Sequence, residues 1–394
     1  VGDQDRYCQA KATKRSGKRV KSVGASHITA DAGEPIPVGT LSREGDANSE
    51  NRRRDIPTFE DKVLQRAVAM ILEAVYEQDF LNCSYGFRPK RSAHQALLAL
   101  WQGIGKFGGW VVEVDIRGFF DNLDHDKLRE ILDHRVRDSG LRRLIDKWLK
   151  AGVMEDGLFR RSSEGTPQGG VISPILANVY LHEVVDRWFH SDAKPAIGND
   201  GIMVRYADDF VMVFRTQVAA RKIYDVLPKR FARFGLELQP DKTKLIHFHR
   251  PESRLESELN ETFDFLGFTH YWAAGRKVKW VVKRRTAKSR LKRALHAIKD
   301  WCKENRHRSL AEQREGLARR LRGHFNYYGI TGNYEAIHKF AHTVQQVWKK
   351  WLSRRSQRAC ITYDKMVEIL NRYPLPAAKI SPSYIQLTRC EPLS

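Results

Sequence analysis

Apolar positions recur at helical spacing in some stretches of this chain and crowd into short β-prone runs in others. Val63, Leu64, Ala67, Val68, Ile71, Leu72 and Val75 follow the i, i+3, i+4 pattern of a helix, and Thr58 with Asp61 resembles a capping box that opens it. Ser92 with Gln95 opens a second helix through Leu97, Leu100, Trp101 and Ile104. Residues 110–116 read as a strand, and helices are expected near 125–136 and 141–150. Ser173 followed by Pro174 predicts a helix start, with Ser173 as N-cap and proline at the first helical position. Ile175, Leu176, Val179, Val184, Val185 and Trp188 supply its core-facing stripe. Two apolar runs, 201–205 and 210–214, flank Tyr206-Ala207-Asp208-Asp209 and read as a β-hairpin. A helix over roughly 217–234 follows, with a kink expected at Pro228. Short strands are expected within 236–248 and 263–282, then helices near 286–304, 310–328 and 334–354. Ser309 with Glu312 forms a capping box for the middle one, with Gly329 as its C-cap. Interleaved strands and helices followed by helices alone predict an α+β domain and then an all-α one.

Charge divides the chain in the same way. Its 394 residues carry a net charge of +22 and a pI near 9.8, which points to a polyanionic partner. Residues 276–358 hold 24 Lys/Arg against five Asp/Glu, a net of +19 and most of the excess. Aromatic residues such as Trp301, Phe325, Tyr334 and Trp351 interleave with these charges, and most of them suit a core. A solvated basic face is the bland alternative, but packed helices of one sign repel unless a polyanion is present. No 18-residue apolar run occurs, so no transmembrane helix is expected. No signal-peptide pattern is seen. Five scattered cysteines without CxxC spacing argue for a reducing compartment and against structural zinc. Residues 1–51 show no helix or strand periodicity; a basic stretch leads into Gly/Ser/Asp/Asn-rich sequence, expected to be poorly ordered.

Asp208 and Asp209 are the leading chemical candidates. Adjacent ionised carboxylates repel, and a cation, typically a divalent metal doing phosphoryl chemistry, relieves the repulsion. A solvated Asp-Asp turn is the plain alternative. Asp115, at the end of its own strand-like run, would supply a third carboxylate; it could equally cap the following turn. Between them, residues 164–178 carry paired glycines that allow close backbone approach to a ligand, although an ordinary loop-to-helix turn has the same spacing.

Seven blocks in order resemble the reverse transcriptases encoded by group II introns, the intron maturases. They are the segments at 56–65, 84–94 and 115, Thr166-Pro167-Gln168-Gly169-Gly170, Tyr206-Ala207-Asp208-Asp209, Gln239-Pro240-Asp241-Lys242-Thr243-Lys244, and Phe263-Asp264-Phe265-Leu266-Gly267-Phe268. The resemblance covers roughly residues 52–385. The resemblance implies a right-hand polymerase palm of antiparallel sheet and helices with partial fingers, followed by an all-α thumb/maturase domain. The implied division is a basic N-terminal segment at 1–51, fingers remnant and palm at 52–275, thumb/maturase domain at 276–373 and a tail at 374–394. It assigns Asp115, Asp208 and Asp209 as catalytic and metal-holding carboxylates for two Mg²⁺ ions, with Mn²⁺ as an alternative, helped by the Ile116 carbonyl. Phe120 would sit against the nucleotide sugar and disfavour a 2′-hydroxyl; Phe119 could exchange roles with it, and a plain core residue is the alternative. Gln168 resembles the glutamine that contacts the incoming nucleotide, and Lys242 the lysine behind the metal site. Arg88 falls in a matching block and Arg52 where the family arginine sits, as further substrate-binding candidates.

Leu321-Arg322-Gly323-His324-Phe325-Asn326-Tyr327-Tyr328-Gly329 resembles the maturase-domain signature. By that resemblance Arg319, Arg320, Arg322, Asn326, Tyr328, Lys349 and Lys350 would bind RNA. His324 has no second ligand at suitable spacing and reads as structural or RNA-contacting. The sequence departs from the family ahead of Ile56-Pro57, where Arg52-Arg53-Arg54-Asp55 stands in place of the usual Arg-Pro-Leu-Gly. No Cys pairs or HNH-like cluster follow the maturase signature, so no DNA endonuclease domain is expected. The expected function is RNA-directed DNA polymerase and splicing maturase, acting on group II intron RNA, an RNA template with a DNA primer, dNTPs and target DNA. The expected setting is a bacterial, cytoplasmic, nucleoprotein-associated one, with an organellar one and a homodimer left open. The rivals are a polymerase-inactive RNA-binding maturase or truncated relic, and a related reverse transcriptase recruited to CRISPR or phage defence.

Overall fold

The computed structural model describes residues 41–44, 54–56, 58–150, 153–155, 158–160, 170–253, 255–256, 260–275, 280–356 and 360–380, all within the unit Val38–Ser394. Arg52, Gln168 and most of residues 1–51 lie outside them. Within 1–51, where no strand was expected, β1 (Leu41–Glu44) pairs antiparallel with β2 (Arg54–Ile56). Its other edge pairs in parallel with β4 (Val153–Glu155), which pairs antiparallel with β5 (Leu158–Arg160). The partner strand that completes β1 is more than a hundred residues away, beyond any local pattern.

Helix α1 (Phe59–Tyr76) starts where its cap predicts: the Asp61 amide donates to Thr58 Oγ1 at 3.3 Å. Helix α2 (Ala93–Phe107) starts on Ser92, whose Oγ accepts from the Gln95 amide at 3.3 Å. Next come β3 (Trp110–Val114), α3 (His125–Asp133) and α4 (Ser139–Lys150). Helix α5 (Ser173–Leu181) corrects one expectation. Ser173 is its first residue rather than its cap, Ile172 takes the capping position, and no side chain caps the end. Beyond Leu181 the helix widens into π turns, His182–Arg187 and Phe189–Ala193, and ends in α6 (Lys194–Ala196).

Strands β6 (Gly201–Tyr206), β7 (Asp209–Phe214) and β8 (Lys244–His247) join β3 in an antiparallel sheet of order β6-β7-β3-β8. Helix α7 (Gln217–Ala232) runs through Pro228. Both faces of this sheet are covered, which explains why its strands read as unbroken apolar runs. On one face Val112, Val114, Met203, Phe210, Met212 and Phe214 share a core with Leu176, Val179 and Leu227 of the helices. On the other, Val111, Val204, Val211 and Val213 meet Leu97, Leu100 and Ile104 of α2 and Phe263, Phe265 and Phe268 of a second sheet. That sheet is an antiparallel meander of β9 (Phe263–Phe265), β10 (Phe268–Ala274) and β11 (Trp280–Thr286).

The basic region folds as α8 (Lys288–Glu304), α9 (Leu310–Tyr328) and α10 (Tyr334–Leu352) around Leu317, Leu321, Phe325, Phe340, Val344 and Trp348. The Ser309/Glu312 capping box is formed in full. A further helix, α11 (Tyr363–Arg372), is one the apolar spacing did not single out. Asn333 ties these helices to the second sheet: its Oδ1 accepts from the Thr286 amide at 2.9 Å and its Nδ2 donates to the Tyr328 carbonyl at 2.8 Å. The fold is α+β, with two antiparallel sheets and one mixed sheet among the described residues, followed by helices.

Candidate active site and nucleic-acid surface

Sheet register brings the acidic residues to one end of the β6-β7-β3-β8 sheet. Strand β3 pairs with β7 from Trp110 opposite Phe214 to Val114 opposite Phe210. Carried one residue further, that register sets Asp115 opposite Asp209. The β6–β7 hairpin closes with Tyr206 opposite Asp209, leaving Ala207 and Asp208 as its turn. Ala207 has a φ of +58°, a left-handed conformation that a residue with a Cβ adopts at a cost. On the far side of β3, Lys242 Nζ lies 3.2 Å from Asp115 Oδ2. Among the described residues, no three His, Cys, Asp or Glu side chains are grouped closely enough to hold a metal ion; Asp115 is turned towards Lys242.

The site is electrostatically tense. Burial, then the charges of Asp208 and Asp115, push the Asp209 carboxyl up to about 7, and the Leu266 backbone and Arg290 pull against them. Glu113, two residues before Asp115, is likewise pushed up to about 7 by burial and by Asp209 and Asp264. A carboxylate at this position was not singled out in the sequence.

The larger omission lies beneath the hairpin. Arg205 is fully buried and ion-paired with fully buried Asp186, Nε to Oδ1 at 2.7 Å. Its Nη1 also donates to Asn178 Oδ1 at 3.0 Å and to the Ala207 carbonyl at 2.9 Å. Asn178 in turn donates to the Gly86 carbonyl at 2.7 Å. One guanidinium thus holds the strained turn from below and links it to the 84–88 loop. Asp186 reaches it from the π-helical stretch, a local widening that recurs at functional sites. The available signal was an arginine inside an otherwise apolar strand, which demands a buried partner.

Gly86 packs directly under the turn: a Cβ there would stand 2.3 Å from the Ala207 amide nitrogen and 2.9 Å from the Tyr206 carbonyl carbon. Both obstacles are backbone, so Gly86→Ala is expected to cost about 1–3 kcal/mol and to displace the Asp208 turn. Thermal unfolding of that variant checks the first, and an unchanged melting temperature would show the contact to be slack.

Other sequence candidates separate into those near the site and those turned away from it. Phe120 is half-buried while Phe119 is packed in the core at 2% exposure, so Phe120 is the ring of the pair left open. Arg88 corrects an expectation. Its Nη2 donates to Glu77 Oε1 at 2.7 Å and to the Phe80 carbonyl at 3.3 Å, while Nε donates to Glu77 and Nη1 to the carbonyls of Leu81 and Ser84. That guanidinium clamps its own loop rather than facing a substrate. Tyr328 is also turned inward, half-buried with its ring 5.2 Å from Phe268 and packed on His324. His324 stacks on Phe340 at 3.8 Å, and burial lowers its pKa to about 4, which keeps it neutral and structural.

Arg319, Arg322 and Asn326 are exposed at helical spacing on α9 and share one face of it. Arg320 is exposed as well, with its guanidinium 4.4 Å above the Trp301 ring. Lys350 is exposed on α10, and Lys349 is half-buried near Tyr363. No helix among the described residues is long and apolar enough to cross a membrane.

Group II intron-encoded protein LtrA of Lactococcus lactis subsp. cremoris is 45% identical over 152 residues, 38% of this chain and 25% of LtrA. Protein YkfC of Escherichia coli (strain K12) is 36% identical over 259 residues, 56% of this chain and 63% of YkfC. The chain therefore covers less than two thirds of either relative. Among solved structures, telomerase from Candida albicans in complex with a fragment of telomeric RNA aligns at a TM-score of 0.48 and 15% identity, over 86% of this chain and 63% of that one. Residues 291–367 match the group II intron maturase-specific domain. Residues 45–270, more than half the chain, match the reverse transcriptase (RNA-dependent DNA polymerase) family, and the chain belongs to that family.

Proposed function

We propose that the chain is an RNA-directed DNA polymerase that also binds group II intron RNA as a splicing maturase. The observation that carries the polymerase reading is the register that sets Asp115 opposite Asp209 beside the Asp208 turn, in a chain of this family. The donor set suits Mg²⁺: carboxylate oxygens are hard ligands, and their mutual repulsion, which adds to burial in raising the Asp209 carboxyl, is relieved by a divalent cation. Asp208, Asp209 and, once turned from Lys242, Asp115 would hold the ions. Bound there, Mg²⁺ supplies activation of the primer 3′-hydroxyl and charge neutralisation on the leaving pyrophosphate. Lys242 neutralises Asp115 and keeps its exposed amine within reach of a triphosphate. Phe120 walls the sugar site, and Gln168 and Arg52 contribute to nucleotide grip. The substrates are an RNA template with a DNA primer, dNTPs and target DNA.

Primer extension on an RNA template tests this reading. Synthesis should require dNTPs and Mg²⁺ and stop on chelation. RNA binding without any synthesis in Mg²⁺ or Mn²⁺ would overturn it in favour of a non-polymerising maturase.

The exposed arginines of α9 support the RNA-binding part, because such contacts go largely to phosphate. Arg319→Ala with Arg322→Ala is expected to reduce the slope of log affinity against log salt by roughly 1–2. An unchanged slope in a filter-binding titration would remove that face from the interface.

A further inference from the structure

The loop that follows the Gly86 contact carries an aromatic side chain whose placement the core does not explain. Phe87 is 54% exposed, although residues 84–86 before it and Arg88 after it are buried. Its φ is +56°, in the left-handed region that a residue with a Cβ avoids unless the surroundings impose it. The surroundings do impose it. On one side the Tyr85 amide bonds the Arg205 carbonyl at 2.9 Å, and the Gly86 carbonyl accepts from Asn178. On the other, Arg88 is held by Glu77 and three backbone carbonyls. A rigid mount therefore presents a large apolar ring to solvent in a strained conformation. The ring lies beside the carboxylate turn: its centroid is 6.4 Å from that of Tyr206, tilted by 41°, and Gly86 abuts Ala207.

Strain maintained at an exposed aromatic suits a contact made with a ligand rather than with the core. Gly86, the residue before Phe87, abuts the turn that carries Asp208, so a nucleotide reacting there would bring its base to the side of the turn that this ring borders. Every nucleobase offers a π face, so an aromatic platform holds it without reading its identity. We propose that Phe87, stepped against Tyr206, is a nucleobase-stacking position at the edge of the active site. The inference rests on the polymerase reading above and adds a base-binding residue to it. The base belongs to the templating strand, the primer end or the incoming dNTP, and the chemistry of the contact is the same for each.

The test uses the full chain with Phe87→Ala, Phe87→Trp and Phe87→Gly. The probe is an RNA template–DNA primer duplex carrying 2-aminopurine either at the templating position or at the primer 3′ end. Duplex affinity and base fluorescence are read alongside the KM for dNTP. Phe87→Ala should weaken the step that seats the stacked base by roughly 5- to 150-fold. Phe87→Trp should stay within about threefold of the parent, since a larger ring still stacks. Phe87→Gly should lose as much affinity as Phe87→Ala yet melt at the same or a higher temperature, because glycine adopts a positive φ freely. Loss of duplex affinity with a change at one labelled position assigns the base to that strand, and a raised KM for dNTP alone assigns it to the incoming nucleotide. A parent chain that extends primers, with Phe87→Ala matching it in affinity, fluorescence and KM, overturns the inference and leaves the polymerase reading standing. A parent that extends nothing overturns the polymerase reading, and the duplex-affinity arm still decides whether Phe87 stacks a base. Equal losses in all three variants with lowered melting temperatures would make Phe87 a structural residue and also overturn the inference.

Discussion

Replacing Asp208 with alanine is expected to lower DNA synthesis by at least about a thousandfold and to leave RNA affinity within about twofold. The activity loss follows from removing one of three carboxylates that would hold the metal ions, which contribute several kcal/mol of transition-state charge stabilisation. Affinity should be spared because the exposed basic side chains Arg319, Arg322 and Lys350 lie on α9 and α10, not on the carboxylate hairpin. Removing a negative charge would, if anything, favour a polyanion. Parallel primer-extension and equilibrium RNA-binding measurements check both halves. Residual synthesis above a few per cent would remove Asp208 from the metal set. A tenfold loss of RNA affinity would show that binding and chemistry are not divided in this way.

Arg205→Met is expected to destabilise the fold by about 3–5 kcal/mol, because it leaves the Asp186 carboxylate buried without its partner. The remaining neighbour, His182 Nδ1 at 3.8 Å, is too distant for a good hydrogen bond. Burial alone would raise the Asp186 pKa, but the Arg205 guanidinium overrides it and holds the carboxyl below its usual range. The pair therefore contributes stability above the unfolded pKa of about 4, lost as pH falls through the lower folded value. In the variant, burial has no such opponent and Asp186 takes up a proton more readily. Its deficit should shrink as the pH is lowered from 7 towards 4. Adding Asp186→Leu should restore most of the stability, since a well-packed apolar pair replaces a buried ionic one at little cost. Activity should not return with it, because the Ala207 carbonyl and Asn178 have still lost their donor. Urea unfolding at several pH values reads the first effect and primer extension the second. A deficit under about 1 kcal/mol would mean that the pair is hydrated or easily rearranged.

Arg205 marks where the sequence stopped being sufficient. Its strand, its hairpin and the carboxylates at the tip were legible, because an apolar run on each side of a short polar turn is a local pattern. Its partner was not, because Asp186 lies in a helix whose π turns alter which residues face the sheet. Arg88 illustrates the same limit. Its block pointed towards the substrate, yet Glu77 and three carbonyls take its guanidinium inward. Ser173 looked like a cap from its neighbour Pro174, but the helix begins one residue earlier in phase, with Ile172 at the cap. Of the two adjacent phenylalanines, composition could not say which was core; burial leaves Phe120 as the open one.

By itself the sequence determined the strands β3, β6 and β7, the helices α1 to α5 and α7 to α10, the capped starts of α1, α2 and α9, the acidic hairpin, the basic helical half and the family resemblance, but not β1, β2, β4, β5 or α11. These depend on periodicity, caps and short motifs, whose physics acts over a few residues. The tertiary structure alone decided that the β3–β7 register carries Asp115 towards Asp209, that one buried guanidinium holds the Ala207-Asp208 turn of the hairpin, and that Phe87 is left exposed in a strained conformation beside that turn. Those outcomes depend on sheet register and on desolvated pairings between distant segments, whose energies exist only once the chain has closed around them.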